Sequence, residues 1–287
     1  LDTIDDLPTI PDVLFRILKV LDDPQSGAAD LAEVVRLDAP LTARILRLAN
    51  SPFYNGRGDL TDIHRCIAVL GYRTVRQVAI CVTVATSVIN AAARAGGRLD
   101  YRDLWRHSVV TAAIAKRLAE IAGHPEPEEV FTAGLLHDLG KFLLEIHAPE
   151  SYWRVIRDAR RGHQTLCQAE HHSFGFDHAV LGEAFGVSWN FPRVFQRCCG
   201  HHHDAPGTAD PASPEDRTLA LVAVGDYLAN TMDPPRTDLG FDPARVDVEG
   251  LHRDAGLRVE DVETYLPDLQ ETVEKSLVFV DLDPLPV

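Results

Sequence analysis

Apolar residues recur at spacings of three and four along almost the whole chain, a period that admits little besides helix. Val13, Leu14, Ile17, Leu18 and Leu21 line one face of a helix starting near Pro11. Leu31, Val34 and Val35 mark a second helix. Leu41, Ile45, Leu46 and Leu48 mark a third, opening after Asp38-Ala39-Pro40. Asn50-Ser51-Pro52 ends it, because the residue before a proline disfavours helical geometry. Ile63, Ile67 and Leu70 mark a fourth, stopped by Gly71. Val75, Val78, Ala79, Val82, Ala85, Val88 and Ile89 mark a long fifth. The pattern predicts further helices at roughly 101–122, 128–147, 150–162, 177–186, 191–203 and 215–231. A loop rich in Pro and Asp follows at 232–247, then an amphipathic helix over about 259–277, with Val278–Val280 read as extended. Alternating apolar and polar residues are nearly absent, so the fold class is all-α.

Ala95-Gly96-Gly97 breaks the pattern and divides the chain. The expected organisation is an N-terminal helical half at 1–97, a second helical half at 98–234, and an acidic helical extension at 235–287 packing on the second half. The length of 287 residues suits one large domain or two small ones. No apolar run reads as a membrane span. The opening LDTIDDLP lacks the basic and apolar regions of a secretory signal, and a start at Leu1 rather than Met suggests that something has been trimmed away.

Charge is unevenly placed. The net charge is −15, but residues 204–287 hold 19 acidic and 6 basic groups, whereas residues 1–203 are close to neutral. This balance argues against broad nucleic-acid or anionic-membrane binding. Five cysteines, Cys66, Cys81, Cys167, Cys198 and Cys199, include no C-x-x-C pair. They fit a reducing, cytoplasmic setting better than a disulfide framework.

Thirteen histidines are many for this length, and seven fall between His163 and His203. Asp103 and His107 lie four apart on one expected helix and so share a face. In Gly134-Leu-Leu-His137-Asp138-Leu-Gly-Lys141, the adjacent His137 and Asp138 are about 100° apart on a helix and could straddle one ion. Lys141 follows on the same side. His178 opens another apolar segment, and His201-His202-His203 closes one. Asp226 interrupts the apolar run LALVAVGDYLAN, where a buried carboxylate needs a cation, a donor or a metal. Each feature has a plainer reading. His107 alone reads as an ordinary core or surface histidine, the three histidines as a solvated loop, and Glu170-His171-His172 as a polar loop. Taken together they are N/O donors spread over several helices, the way a helical core builds a site for zinc, iron, manganese or cobalt.

These residues carry a family resemblance. The order His107, His137-Asp138, His178, His202-His203, Asp226 and the phrase GLLHDLGK resemble the HD superfamily of metal-dependent phosphohydrolases. LPTIPDVLFRILKVLDDP, LAEVVRLDAPLTARILRLANSPFY, IAVLGYRTVRQVAI, LWRHSVVTA and EHHSFGFDHAVLGEAFGVSWNFP resemble the HDOD family over about residues 7–205. The resemblance implies an HD-type helical bundle preceded by an N-terminal helical bundle. It implies one to three ions of Fe, Mn, Zn, Co or Ni held by His107, His137, Asp138, His178, His202, His203 and Asp226. Asp103 is a further ligand candidate, since related HD-GYP phosphodiesterases place a carboxylate there. Lys141 would contact a substrate phosphate or tune the metal water, with Asp138 the other catalytic candidate, and Glu170 would act behind the ligands. Of the three adjacent histidines, the family-like spacing favours His202 and His203 over His201. The chain departs from HD-GYP in reading Asp204-Ala-Pro-Gly207 after the histidines, which weakens a claim of cyclic-dinucleotide hydrolysis.

Three expectations stand side by side. One is a bacterial-type regulatory protein in signal transduction, with a protein partner and Asn50–Gly56 as its contact surface; the plainer reading of that stretch is a turn anchored by Phe53 and Tyr54. Another is an active phosphohydrolase acting on a phosphate-containing small molecule. In the third, the polar cluster is metal-free and satisfied by its own hydrogen bonds. No Walker loop, dinucleotide fingerprint or G-x-S-x-G elbow appears.

Overall fold

Capping side chains and glycines divide the chain into helices. The computed structural model describes residues 12–22, 25–54, 60–96, 98–162, 164–204, 206–207, 210, 213–233 and 246–282. Among these residues there is no strand. The first helices are α1 (Asp12–Asp22), α2 (Ala28–Arg36), α3 (Ala39–Ala49), α4 (Ile63–Leu70) and α5 (Tyr72–Arg94). Then come α6 (Tyr101–Ile121), α7 (Pro127–Leu136), α8 (Leu139–His147), α9 (Pro149–Gly162) and α10 (Leu166–Phe174). The last are α11 (His178–Ser188), α12 (Arg193–His201), α13 (Pro214–Met232), α14 (Val248–Asp254) and α15 (Val262–Ser276).

Two compact units result. One comprises Leu1–Asn90 with Val278–Val287, the other Ala91–Leu277. The division falls just before the expected joint at 95–97, and α14 and α15 belong to the second unit.

In the first unit, Asp38 caps α3 by accepting from Leu41 N at 2.8 Å, and Asp62 caps α4 by accepting from Arg65 N at 3.1 Å. Gly71, at φ 89°, ends α4 where a side chain would be strained. Asn50 ends α3 and ties it to the next segment. Its amide donates to Leu46 O and Leu60 O, both at 2.9 Å, and accepts from Leu60 N at 3.0 Å. The turn at Pro52–Tyr54 is anchored by aromatic contacts, with the Phe53 ring 5.1 Å edge-on from Phe279. Residues 55–56 of the expected contact surface lie outside the described residues. Phe279 sits in a 3-10 turn over Leu277–Leu282, so Val278–Val280 is not extended. By length and composition Tyr72–Ala92 could cross a membrane, contrary to the sequence expectation. Its Val75, Ala79, Ile80, Val84 and Val88 are buried, as in a core helix.

In the second unit α6 is central, packing against α7, α13 and α15. Its residues Val109 to Ala115 are buried all round. Glycines permit this closeness. A Cβ at Gly134 would come within 2.8 Å of Ala112 Cα, and one at Gly225 within 2.9 Å of Thr111 O. These contacts bring α7 and α13 against the helix that carries His107. A second cluster joins α9 to α10 through Tyr152, Val155, Ile156, Ala159, Leu166 and Ala169. Each large side chain there contributes roughly 1.5–3 kcal/mol of burial.

The expected helix over 128–147 is two helices, broken at His137-Asp138. Glu170-His171-His172 lies on α10, not in a loop. Thr165 and Gln168 form a capping box at its start, and Gly175, at φ 80°, closes it. α14 was not foreseen, and residues 234–245 of the expected loop lie outside the described residues.

Candidate metal centre

The break between α7 and α8 places a fully buried carboxylate, Asp138. His137 still has helical angles, but Asp138 turns to φ −97°, ψ 16° and opens α8, its backbone carbonyl accepting from Lys141 N at 3.0 Å. A helix N-terminus favours an anion there. The thiol of Cys199 donates to Leu136 O at 3.2 Å, satisfying a carbonyl beside the break.

Asp138 has no solvent exposure and lies between two sets of imidazoles. Its Oδ2 is 3.3 Å from His137 Nε2 and 3.7 Å from His107 Nε2. Its Oδ1 is 3.5 Å from both His178 Nε2 and His202 Nε2. On the Oδ2 side Asp226 Oδ1 completes the group, 2.9 Å from His107 Nε2 and 3.7 Å from His137 Nε2. On the Oδ1 side His203 completes it, its Nε2 3.1 Å from His178 Nε2. Within each group, Asp138-His178-His202-His203 and His107-His137-Asp226, one ligand atom per residue lies within 4.8 Å of the others.

The hydrogen bonds on the far edges of the rings fix what faces Asp138. His137 Nδ1 is 2.6 Å from Gly134 O, and His202 Nδ1 is 2.9 Å from Cys198 O. A carbonyl only accepts, so both Nδ1 atoms carry the proton. His178 Nδ1 is 2.6 Å from Glu170 Oε2, a carboxylate oxygen that accepts, so Nδ1 carries a proton there too. All three rings therefore turn Nε2 toward a carboxylate. His137 Nε2, His202 Nε2 and Asp138 Oδ1 are buried with no hydrogen-bond partner. Three buried carboxylates, Asp138, Asp226 and Glu170, face the one ammonium of Lys141, whose Nζ donates to Asp138 Oδ2 at 2.6 Å. Orphaned lone pairs, excess negative charge and an N/O donor set are what a divalent cation satisfies. The residues present fit a metal.

The metal-free chain compensates with protons. Burial pushes the His137 imidazole down, but Asp138 and Asp226 beside it push it further up, to about 10. Burial raises the Asp138 and Asp226 carboxyls, but the imidazoles, with Lys141 beside Asp138, hold both well below the usual range. Burial opposes the charge on Lys141, and Asp138 and Asp226 more than restore it.

The structure thus brings together His107, His137, Asp138, Lys141, His178, His202, His203 and Asp226. Asp103 is buried one turn before His107 but joins none of the candidate groups, because a full helical turn displaces it by about 5.4 Å along the axis. His201 points elsewhere, its Nδ1 2.9 Å from Asp204 Oδ2. His171 and His172 are exposed. Sequence reasoning missed the backbone carbonyls of Gly134 and Cys198 that orient two rings, which no side-chain motif encodes.

The profile of the HDOD domain matches residues 7–205. The chain belongs to the HDOD family. An HDOD domain protein of unknown function from Geobacter sulfurreducens is 26% identical, with a TM-score of 0.77 over 96% of this chain and 95% of that one. A chain from Shewanella amazonensis described as a candidate phosphohydrolase is 24% identical, with a TM-score of 0.77 over 98% and 96%. An uncharacterized protein of Treponema pallidum is 24% identical over 224 residues, which are 77% of this chain but 42% of that protein. The HDOD chain therefore spans under half the length of this relative.

Proposed function

We propose that this HDOD chain is a cytoplasmic regulatory protein of signal transduction whose second unit holds one or two divalent metal ions around Asp138, while the first unit engages a protein partner. The observation that carries the metal reading is Asp138 Oδ1, buried and without a hydrogen-bond partner between the Nε2 atoms of His178 and His202. His107, His137 and Asp226 would hold an ion on the Oδ2 side, and His178, His202 and His203 one on the Oδ1 side. Elemental analysis of protein purified without a histidine tag tests the metal reading. Metal is expected in the native chain and not in Asp138→Ala; a native chain that neither retains nor takes up metal would sink it.

A second reading, a metal-dependent phosphohydrolase, rests on Lys141 and His203. Lys141 keeps a positive charge at the centre, and His203 is exposed at its edge, where an anion would enter. The Shewanella amazonensis description agrees with it. A bound divalent ion would supply Lewis acidity toward a phosphoryl group. In this reading Glu170 orients His178, and Lys141 offsets developing negative charge. Turnover of phosphomonoesters, nucleotides or cyclic dinucleotides by the native chain, lost in Asp138→Ala, would support it. No turnover across that screen would leave the regulatory reading.

A further inference from the structure

The other edge of the His178 ring faces a second set of donors. Cys167 Sγ, a Glu170 carboxylate oxygen and a His178 ring nitrogen lie within 4.8 Å of one another. Cys167 and Glu170 are three apart on α10 and so share a face. Glu170 Oε2 is engaged by His178, but Oε1 is fully buried with no hydrogen-bond partner. The buried Tyr152 hydroxyl lies in the field of both Glu170 and Cys167. Glu170, Asp177 and Asp138 make the field at the thiol negative, and Lys141 opposes them. Of the five cysteines only Cys167 is not fully buried.

We propose that this cluster is a second cation site, selective for a thiophilic divalent ion such as Zn²⁺ or Cd²⁺, and that filling it withdraws His178 from the Asp138 centre. The ion is held by Cys167 Sγ, Glu170 Oε1 and His178 Nδ1. A thiolate and a carboxylate neutralise one divalent charge, so the filled site carries no net charge. Thiolate ligation selects softer ions over Mg²⁺ or Mn²⁺. The S–metal bond forms as the thiol proton leaves to solvent. The Nδ1 proton of neutral His178 is exchanged through solvent for one on Nε2, so the ring stays neutral. One proton is released per ion. With Nε2 protonated, His178 has no lone pair for the centre around Asp138. The site itself stands apart from the proposed function; its antagonism toward the centre rests on that reading.

Cd²⁺ added to the metal-free full chain is the probe, read by the ultraviolet thiolate-to-cadmium charge-transfer band. The band is expected in the native chain and lost in Cys167→Ser and Cys167→Ala, whose folding circular dichroism checks. No band in the native chain, or a band unchanged in both variants, overturns the site. For the antagonism, the chain is loaded with Mn²⁺ and free Mn²⁺ is followed by electron paramagnetic resonance. Cd²⁺ is expected to release Mn²⁺ from the native chain and not from Cys167→Ser. Equal release from both overturns the antagonism. A native chain that binds no Mn²⁺ overturns the antagonism together with the metal reading of the Asp138 centre, while the charge-transfer result still decides the thiol site.

Discussion

Glu170 holds His178 at two points: Oε2 accepts the His178 backbone N–H at 2.9 Å and lies 2.6 Å from ring Nδ1. One carboxylate oxygen thus fixes both the start of α11 and the tautomer of the ring. Replacing Glu170 by Gln keeps an acceptor but removes the charge that makes the ring a stronger donor. We expect Glu170→Gln to bind metal about 10–100-fold more weakly while staying folded. Metal titration with circular dichroism checks this; unchanged affinity would mean that Glu170 only shapes the helix start.

Lys141 and Asp138 are both buried, so each depends on the other in the metal-free chain. Asp138→Asn leaves the Lys141 ammonium buried beside a neutral amide. We expect a loss of about 3–5 kcal/mol in denaturant unfolding without metal. Replacing Lys141 by Met in the same chain is expected to recover part of that loss, because the stranded charge is gone. No recovery would show that the Asn side chain itself does not fit.

Much of this site was legible because its chemistry interrupts an apolar pattern. Asp226 stands out in LALVAVGDYLAN, and three adjacent histidines end an apolar helix. The break at Asp138 was not legible, because GLLHDLGK is apolar at helical spacing on both sides, and the turn serves tertiary placement of the carboxylate. α10 was missed for the opposite reason. LCQAEHHSF has few apolar residues, and its only clear signals are the capping pair Thr165–Gln168 and Gly175. Asp103 shows the limit of face-sharing arguments, since the same face one turn away is a different place.

The charge on His137 gives the metal-free chain a pH dependence. Asp138 and Asp226 hold its pKa up at about 10, above the ordinary imidazole value of 6.5, so the stabilisation is fully present below 6.5 and lost as pH rises through 10. With metal bound through Nε2 the ring is neutral throughout, and that loss should vanish. We expect urea midpoints in a chelator to fall between pH 7 and 10, and midpoints with Mn²⁺ to stay flat or rise. Parallel falls under both conditions would place the titration elsewhere.

Gly140 links the packing of α8 to the position of His178. A Cβ there would collide with the His178 carbonyl and stand 3.0 Å from Gly182 N. Both obstacles are backbone, so no side-chain rotation relieves them. In Gly140→Ala, α11 must move away from α8, carrying His178 from Asp138. We expect a destabilisation of about 1–3 kcal/mol from overpacking. Metal affinity should fall as well, because a ligand carried on a shifted helix no longer meets the ion. Gly27→Ala, where nothing lies within 4 Å of the added Cβ, serves as the control and should leave affinity unchanged. Gly140→Ala with normal metal affinity would mean that α8 and α11 can separate without moving the ring.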